Sequence, residues 1–316
     1  MSLTEQAEGV TLHVPGELTV RVAPAYARAF EQYLDAGVPG IRIDLEDVKT
    51  VDAVGLAAVL QSTELGRERG LPVEVLPGTT TYHALIEARL VERIRLVEER
   101  LSRPRPDDWL SAADPADEQT AFVAETPEFG LRIPSWGDLR LFEEWAADPV
   151  LQRMVGSELL YRCRHLGAYH PVLVGEVLHH PTSLTVLVES TRRNGGPMGF
   201  MRLYGIHLAE GFAFLEVAIA SKEALRRGWG VAASRLLVAY GWDALGLRRI
   251  EAKVYAYNRL SINALRRNGF EQEGVLRKAA LADGLHWDVL VFSILEEAMR
   301  EQRERERFPS MRLWRR

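Results

Sequence analysis

Residues 212–220 form a short apolar run ending in Val217-Ala218-Ile219-Ala220, and residues 221–226 read as a polar loop. Then comes Arg227-Gly228-Trp229-Gly230-Val231-Ala232, which passes directly into a stretch with Ala233, Leu237, Tyr240 and Ala244 on one helical face. A strand, a glycine-bearing loop and a helix in that order leave few choices of fold. The first N–H groups of a helix lack intrahelical acceptors and stand beside the positive end of its dipole. Small residues at that point let a ligand approach the backbone. The loop therefore reads as an anion cradle, with a pyrophosphate as its natural guest.

Two ligand classes compete for it. Gly228-x-Gly230-x-x-Ala233 formally fits a dinucleotide fingerprint. However, the glycines stand well beyond the end of the strand. The nearest acid at the expected distance, Glu251, falls early in the following strand, residues 249–255. The fingerprint also leaves residues 258–270 without a role.

A second pattern accounts for them. Arg227-x-x-Gly230-x-Ala232 resembles the acyl-CoA loop of the GNAT acetyltransferases. Asn258-x-x-Ser261, followed by Asn268-Gly269-Phe270, is similar to the segment after that family's fifth strand. Glu273-Gly274-Val275-Leu276-Arg277 and Asp283-Gly284-x-x-x-Asp288 resemble the closing hairpin of the branch that holds the ribosomal-protein N-terminal acetyltransferases. Residues 126–149 look like its opening strand and helix. The resemblance spans residues 126–296. It implies an α+β domain with a mixed central sheet, acetyl-CoA as cosubstrate, and direct attack of an amine without a covalent acyl-enzyme.

Residue roles follow from the resemblance. It implies that Ala218, Ile219, Arg227, Gly228, Trp229, Gly230, Val231, Ala232, Asn258 and Ser261 bind the cofactor. The pyrophosphate would lie on the 227–232 backbone and the arm of CoA on Asn258. Asn258 also reads as a turn residue and Ser261 as a helix N-cap. Many family members protonate the leaving thiolate with a tyrosine, but that position is Leu265 here. Ser261 or a water is then the proton donor, and a thiol pKa near 8.5 makes thiolate a tolerable leaving group. Glu216, inside the apolar strand, is the candidate general base or amine anchor. Asp288 is a second candidate, its plainer reading being a hairpin partner to Arg277. A modest base suits an α-amine or a small polar amine better than a lysine.

The chain opens with a different module. Residues 10–14 and 18–22 are strand-like and flank Pro15-Gly16, residues 24–36 are helical, and 40–45 alternate as a half-buried strand. A helix over 53–69 and a strand over 72–76 follow. Tyr82, Ile86, Leu90 and Ile94 mark a last amphipathic helix. This is a small α/β domain. Gly16-Glu17-Leu18, the strand 41–45, and Val51-Asp52-Ala53-Val54-Gly55-Leu56 opening a helix resemble a STAS domain over residues 8–98. In that family the third motif position is a serine or threonine that a kinase partner phosphorylates. Here it is Val54, which cannot carry a phosphate. Asp52 also reads as a helix N-cap.

Residues 99–125 have linker composition, with prolines and aspartates, and residues 297–316 read as a charged, solvated helical tail. The net charge of −5 gives no reason to expect binding to nucleic acid or an acidic membrane. No apolar run reaches the length of a membrane span, and one cysteine, Cys163, excludes an intramolecular disulfide. Cys163 and His165, His170, His179 and His180 lack zinc-site spacing, so no metal is expected. The sequence thus predicts a cytoplasmic acetyl-CoA-dependent N-acetyltransferase acting on an unnamed amine. A STAS-like domain would regulate or localise it, through a protein partner or self-association. The alternative is a non-catalytic acetyl-CoA sensor that signals through the STAS-like domain.

Overall fold

Over Ala53–Leu60 the helix Ala53–Glu68 carries only small and apolar residues around its circumference, and such a stretch must be buried on every side. In the computed structural model it is sandwiched between the two halves of the chain. The structure describes residues 3–6, 9–97, 122–191, 195–308 and 310–313.

The amino-terminal domain runs β1 (Leu3–Gln6), β2 (Gly9–His13), β3 (Gly16–Leu18), α1 (Ala23–Ala36), β4 (Ile41–Leu45), β5 (Val48–Val51), α2 (Ala53–Glu68), β6 (Val73–Pro77) and α3 (Thr79–Glu87). Its sheet has the order β1-β2-β4-β6, with β2, β4 and β6 parallel, and β3 pairs with β5 beside it. Alternation of Ile41, Ile43 and Leu45 puts one face of β4 into the core. Asp52 caps α2 by accepting the Gly55 N–H at 2.9 Å, and its other oxygen accepts the Val20 N–H at 2.8 Å. Burial pushes the Asp52 carboxyl up to about 6 despite these donors.

The carboxy-terminal domain runs β7 (Phe122–Glu125), β8 (Phe129–Arg132), α4 (Leu139–Ala147), α5 (Pro149–Val155), α6 (Glu158–Leu166), α7 (Pro171–Leu178), β9 (Ser183–Ser190), β10 (Pro197–His207) and β11 (Phe212–Ile219). It continues with α8 (Lys222–Arg226), α9 (Trp229–Leu245), β12 (Arg249–Tyr255), α10 (Arg259–Arg267), β13 (Glu271–Ala282), β14 (Leu285–Leu295) and α11 (Glu296–Glu306). The sheet order is β13-β14-β12-β11-β10-β9-β8-β7. Its pairings are antiparallel except β11 with β12, which are joined through α9 as a parallel pair requires. The fold is therefore mixed α/β, a small α/β domain followed by an α+β domain with a mixed central sheet.

Several expectations are corrected. The helix expected through Ile94 stops at Glu87; Leu90 and Ile94 are buried, but from turns rather than from a helical face. The second strand is only Gly16–Leu18, since the Thr19 carbonyl already accepts the Val22 and Ala23 N–H groups that lead into α1. The polar loop after β11 contains α8, because Ser221 caps it and Ala224 is fully buried. Most of the expected linker lies outside the described residues, but its last four, Phe122–Glu125, form the edge strand β7. The tail is docked rather than solvated: α11 buries Met299 and Gln302, and Arg303 lies 3.0 Å from Asp243 of α9.

The two domains share one core. α2 lies on α9 and β9, Gln61 Nε2 donates to Ala244 O at 3.1 Å, and the Ala53 N–H donates to His180 O at 3.1 Å. All seven tryptophans lie at position 109 or beyond. Leu56→Ala, in the amino-terminal core, should therefore cost about 2–5 kcal/mol. It should also shift the urea midpoint read by tryptophan fluorescence. An unmoved fluorescence midpoint would show that the domains unfold separately.

Candidate functional site

The parallel pair is short. β11 and β12 are in register only from Phe212 to Phe214 against Arg249 to Glu251. Beyond that β11 stays with β10 as far as Ile219, and β12 stays with β14 as far as Tyr255. The two strands must therefore diverge, leaving a wedge with a backbone edge on each side. Backbone groups in such a gap call for a polar guest.

One end of the wedge meets the α9 N-terminus. Gly228 is the N-cap with φ 72°, a conformation that disfavours any side chain. Its carbonyl accepts the N–H groups of Val231 and Ala232, while the Arg227 and Gly228 N–H groups turn back to Glu223 and Leu225. Gly230 occupies the second helical position, where a helix supplies no acceptor of its own. A Cβ on Gly230 would stand 3.1 Å from Ile219 Cγ1, so the loop lies directly on the end of β11. The Arg227 guanidinium is 2.9 Å from Glu223 and stacks over Trp229, 5.3 Å from the ring centre. The Trp229 ring does not flank the loop at the surface. It is buried, with Nε1 donating to Glu128 at 3.2 Å.

Residues 153–157 cross the other end. Tyr257 donates its hydroxyl to Arg153 O at 2.6 Å, and Asn258 Nδ2 donates to Met154 O at 2.9 Å. Gly156 leaves room for Tyr255, whose hydroxyl oxygen would lie 2.0 Å from a Cβ there. Asn258 is the N-cap of α10: Oδ1 accepts the Ser261 N–H at 3.0 Å, and Nδ2 also donates to Ser261 Oγ at 2.8 Å. Both of its amide hydrogens are thus engaged within the protein. Ser261 sits one turn inside the helix, not at its cap. It still has its own hydroxyl hydrogen to give. Leu265, farther along α10, packs on the core.

Glu216 projects from β11 beside the wedge. Its side chain is 13% exposed and Oε1 has no hydrogen-bond partner among the described residues. Burial holds its carboxyl above the usual range; Arg202 and Ser157 oppose the shift and Glu176 adds to it. Arg202 Nη1 is 3.7 Å from Glu216 Oε2, and Arg202 Nη2 is 2.7 Å from Glu176 Oε1. Lys253, on β12, places its ammonium 5.3 Å from the ring centre of Phe214, two residues before Glu216. The sequence reading missed Arg202 and Glu176. An arginine in the apolar run Met198–Leu203 was the available signal, because a buried guanidinium requires a carboxylate.

Residues 128–271 match the acetyltransferase (GNAT) domain family, and residues 1–97 match the Mlab STAS domain family. The carboxy-terminal domain has the GNAT fold. The chain is 39% identical over 71 residues to the uncharacterized N-acetyltransferase YoaA of Bacillus subtilis, covering 22% of this chain and 40% of that protein. It is 41% identical over 70 residues to the uncharacterized N-acetyltransferase p20 of Bacillus licheniformis, covering 22% and 39%. The matches thus span about 40% of the length of these relatives. Among solved structures, the spermidine N-acetyltransferase of Vibrio cholerae in complex with CoA and spermine is 20% identical with a TM-score of 0.47. That similarity covers 55% of this chain and 99% of the other.

The remaining candidates have other engagements. Asp288 does not pair with Arg277; its Oδ1 accepts the Lys278 N–H at 2.8 Å, holding the bulge in β13 where Lys278 has φ 52°. Cys163 is buried in the α4–α6 core, which pushes its thiol up to about 11, unsuited to a nucleophile. No group of three His, Cys, Asp or Glu able to hold a metal occurs among the described residues. None of their helices is long and apolar enough to cross a membrane. Removing the Asn258 side chain takes away a helix cap and the tie to Met154. Asn258→Ala should lower stability by about 1–3 kcal/mol, measured by denaturant unfolding.

Proposed function

We propose that the chain is an acetyl-CoA-dependent N-acetyltransferase that moves acetyl to an amine by direct attack. The observation that carries this reading is the wedge between β11 and β12, with the α9 N-terminus at one end and the Glu216 carboxylate beside it. The Gly230 amide and the helix dipole suit a pyrophosphate, and Arg227 can add charge at 41% side-chain exposure. The split strand edges suit the amide groups of the CoA arm, along Ala218 and Ile219. Because Asn258 spends its hydrogens on Met154 and Ser261, its part in cofactor binding is to hold Ser261 and the 153–157 segment in place.

Glu216 takes the proton that the attacking ammonium must lose. Its carboxyl is raised toward the working range of a general base by burial. The amine nitrogen then bonds to the thioester carbon and gives up its second proton to water, the C–S bond breaks, and the sulfur accepts a proton from water or from Ser261, which solvent reprotonates. So modest a base favours an α-amine or small polar amine over a lysine as the acceptor class. The STAS domain acts as a regulator that lacks the phosphorylatable hydroxyl at Val54. Leu265, apolar where a proton donor would stand, favours a second reading as an acetyl-CoA sensor without turnover.

Calorimetric titration of acetyl-CoA into the full-length protein should give micromolar binding, lost in Gly230→Asp. Thiol release should then depend on an added amine, and Glu216→Gln should lower kcat by about 100-fold or more. The acid limb of kcat/KM should lie above the ordinary glutamate range, with activity rising as Glu216 deprotonates. Binding without amine-dependent release across an amine panel would support the sensor, and no binding would remove both readings.

A further inference from the structure

Strand β8 covers β9 only from Leu187 to Ser190, because the chain leaves the sheet after Arg132. Among the described residues no strand pairs with that edge of β9 from Ser183 to Val186. An open edge invites pairing and is normally covered. Here the amino-terminal end of α2 stands over it. The Ala53 N–H donates to His180 O at 3.1 Å, and His180 opens the tight turn into β9, where its Nδ1 accepts the Thr182 N–H at 3.2 Å. From α3, Glu87 Oε1 reaches to 3.6 Å of His180 Nε2. Val20, Asp52, His180 and Thr185 line the small space that remains between the domains.

The same turn follows α7 directly. Ser183 Oγ donates back to Glu176 O at 3.5 Å. The Glu176 carboxylate bridges two arginines, at 3.1 Å from Arg162 Nη1 and 2.7 Å from Arg202 Nη2. Arg202 in turn faces Glu216, and Thr185, Arg202 and Glu216 stand opposite one another on β9, β10 and β11. Arg202 is 3% exposed, so its placement depends on Glu176 rather than on solvent.

We infer that the STAS domain is a positioning part of the acceptor side of the site: α2 holds the His180 turn, the turn fixes α7, and Glu176 on α7 sets Arg202 against Glu216. The inference rests on the transferase reading above. It also assigns an occupant to the Val54 end of the STAS domain: Val54 is fully buried, its neighbour Ala53 bonds His180 O, and Asp52 lines a space shared with Val177, His180 and Thr185 of the GNAT domain.

Two variants of the full chain test it. Ala53 is the first residue of α2 and follows an extended Asp52, so proline suits the helix there. Ala53→Pro removes the donor to His180 O and sets ring carbon in its place. Expected are faster amide exchange over residues 179–186 and at least a tenfold loss of kcat/KM for the amine, with the Kd for acetyl-CoA within twofold of wild type. Unchanged exchange, or equal losses for amine and acetyl-CoA, would overturn the inference.

Glu176→Gln leaves the domain contact intact and keeps the claim testable were Ala53→Pro to unfold. The groups facing Glu216 are Arg202 and Tyr204 from β10, Glu176 from α7 and Ser157 ahead of α6. Removing the one negative charge among them should move the acid limb of the kcat/KM profile to lower pH. A limb that stays in place would deny Glu176 the role. Wild-type protein that binds acetyl-CoA but releases no thiol with any amine would instead sink the transferase reading. Exchange over residues 179–186 would then decide the α2 contact alone.

Discussion

The stretch Ala53–Leu60 of α2 carries no polar side chain and is buried throughout, and that burial sets the terms for everything around it. One side rests on the small sheet of its own domain, the other on α9 and β9 of the GNAT domain. α9 is likewise apolar around most of its surface and lies between α2 and the large sheet. Two such helices in contact give a continuous apolar core through both domains. The polar exceptions inside are satisfied locally: Ser62 and Thr63 donate to Val59 and Leu60, and Tyr26 meets Ser62 at 2.8 Å. A domain joined this way is a wall against the carboxy-terminal domain rather than a module on a tether.

This arrangement explains which parts of the chain were legible beforehand. Helix α9, its glycine cap and the following strand were readable because periodicity and backbone chemistry are local. The Asp283-Gly284 hairpin was readable for the same reason, with φ 52° and 74° at its two turn residues. Leu90 and Ile94 deceived because burial from a turn leaves the same apolar spacing as burial from a helix. Arg303, Arg312 and Glu306 looked solvated because their partners, Asp243 and Arg235, lie far away in sequence. Ionic pairs across long separations leave no local trace.

The candidate site divides along the same line. Glycines and the carboxylate inside β11 could be picked out one at a time, since each breaks a local rule. The wedge could not, because it arises from the loss of register between two strands held by different neighbours. Nor could the change in the meaning of Asn258, whose amide is committed to Met154 more than a hundred residues earlier. A motif tells which residue types are present, while the hydrogen bonds already spent decide what each has left to offer a ligand.

The placement of α2 also has a consequence in time. Synthesis proceeds at about 5–20 residues per second, and domains fold as they emerge. Roughly 150 residues separate the end of the amino-terminal domain from the end of α9, so α2 would wait roughly 7 to 30 s for its cover. Throughout that interval a half-finished chain presents an apolar helix on the ribosome. Folding of this protein is thus a race between the arrival of α9 and any other apolar surface, and holdase chaperones are the natural attendants of the delay.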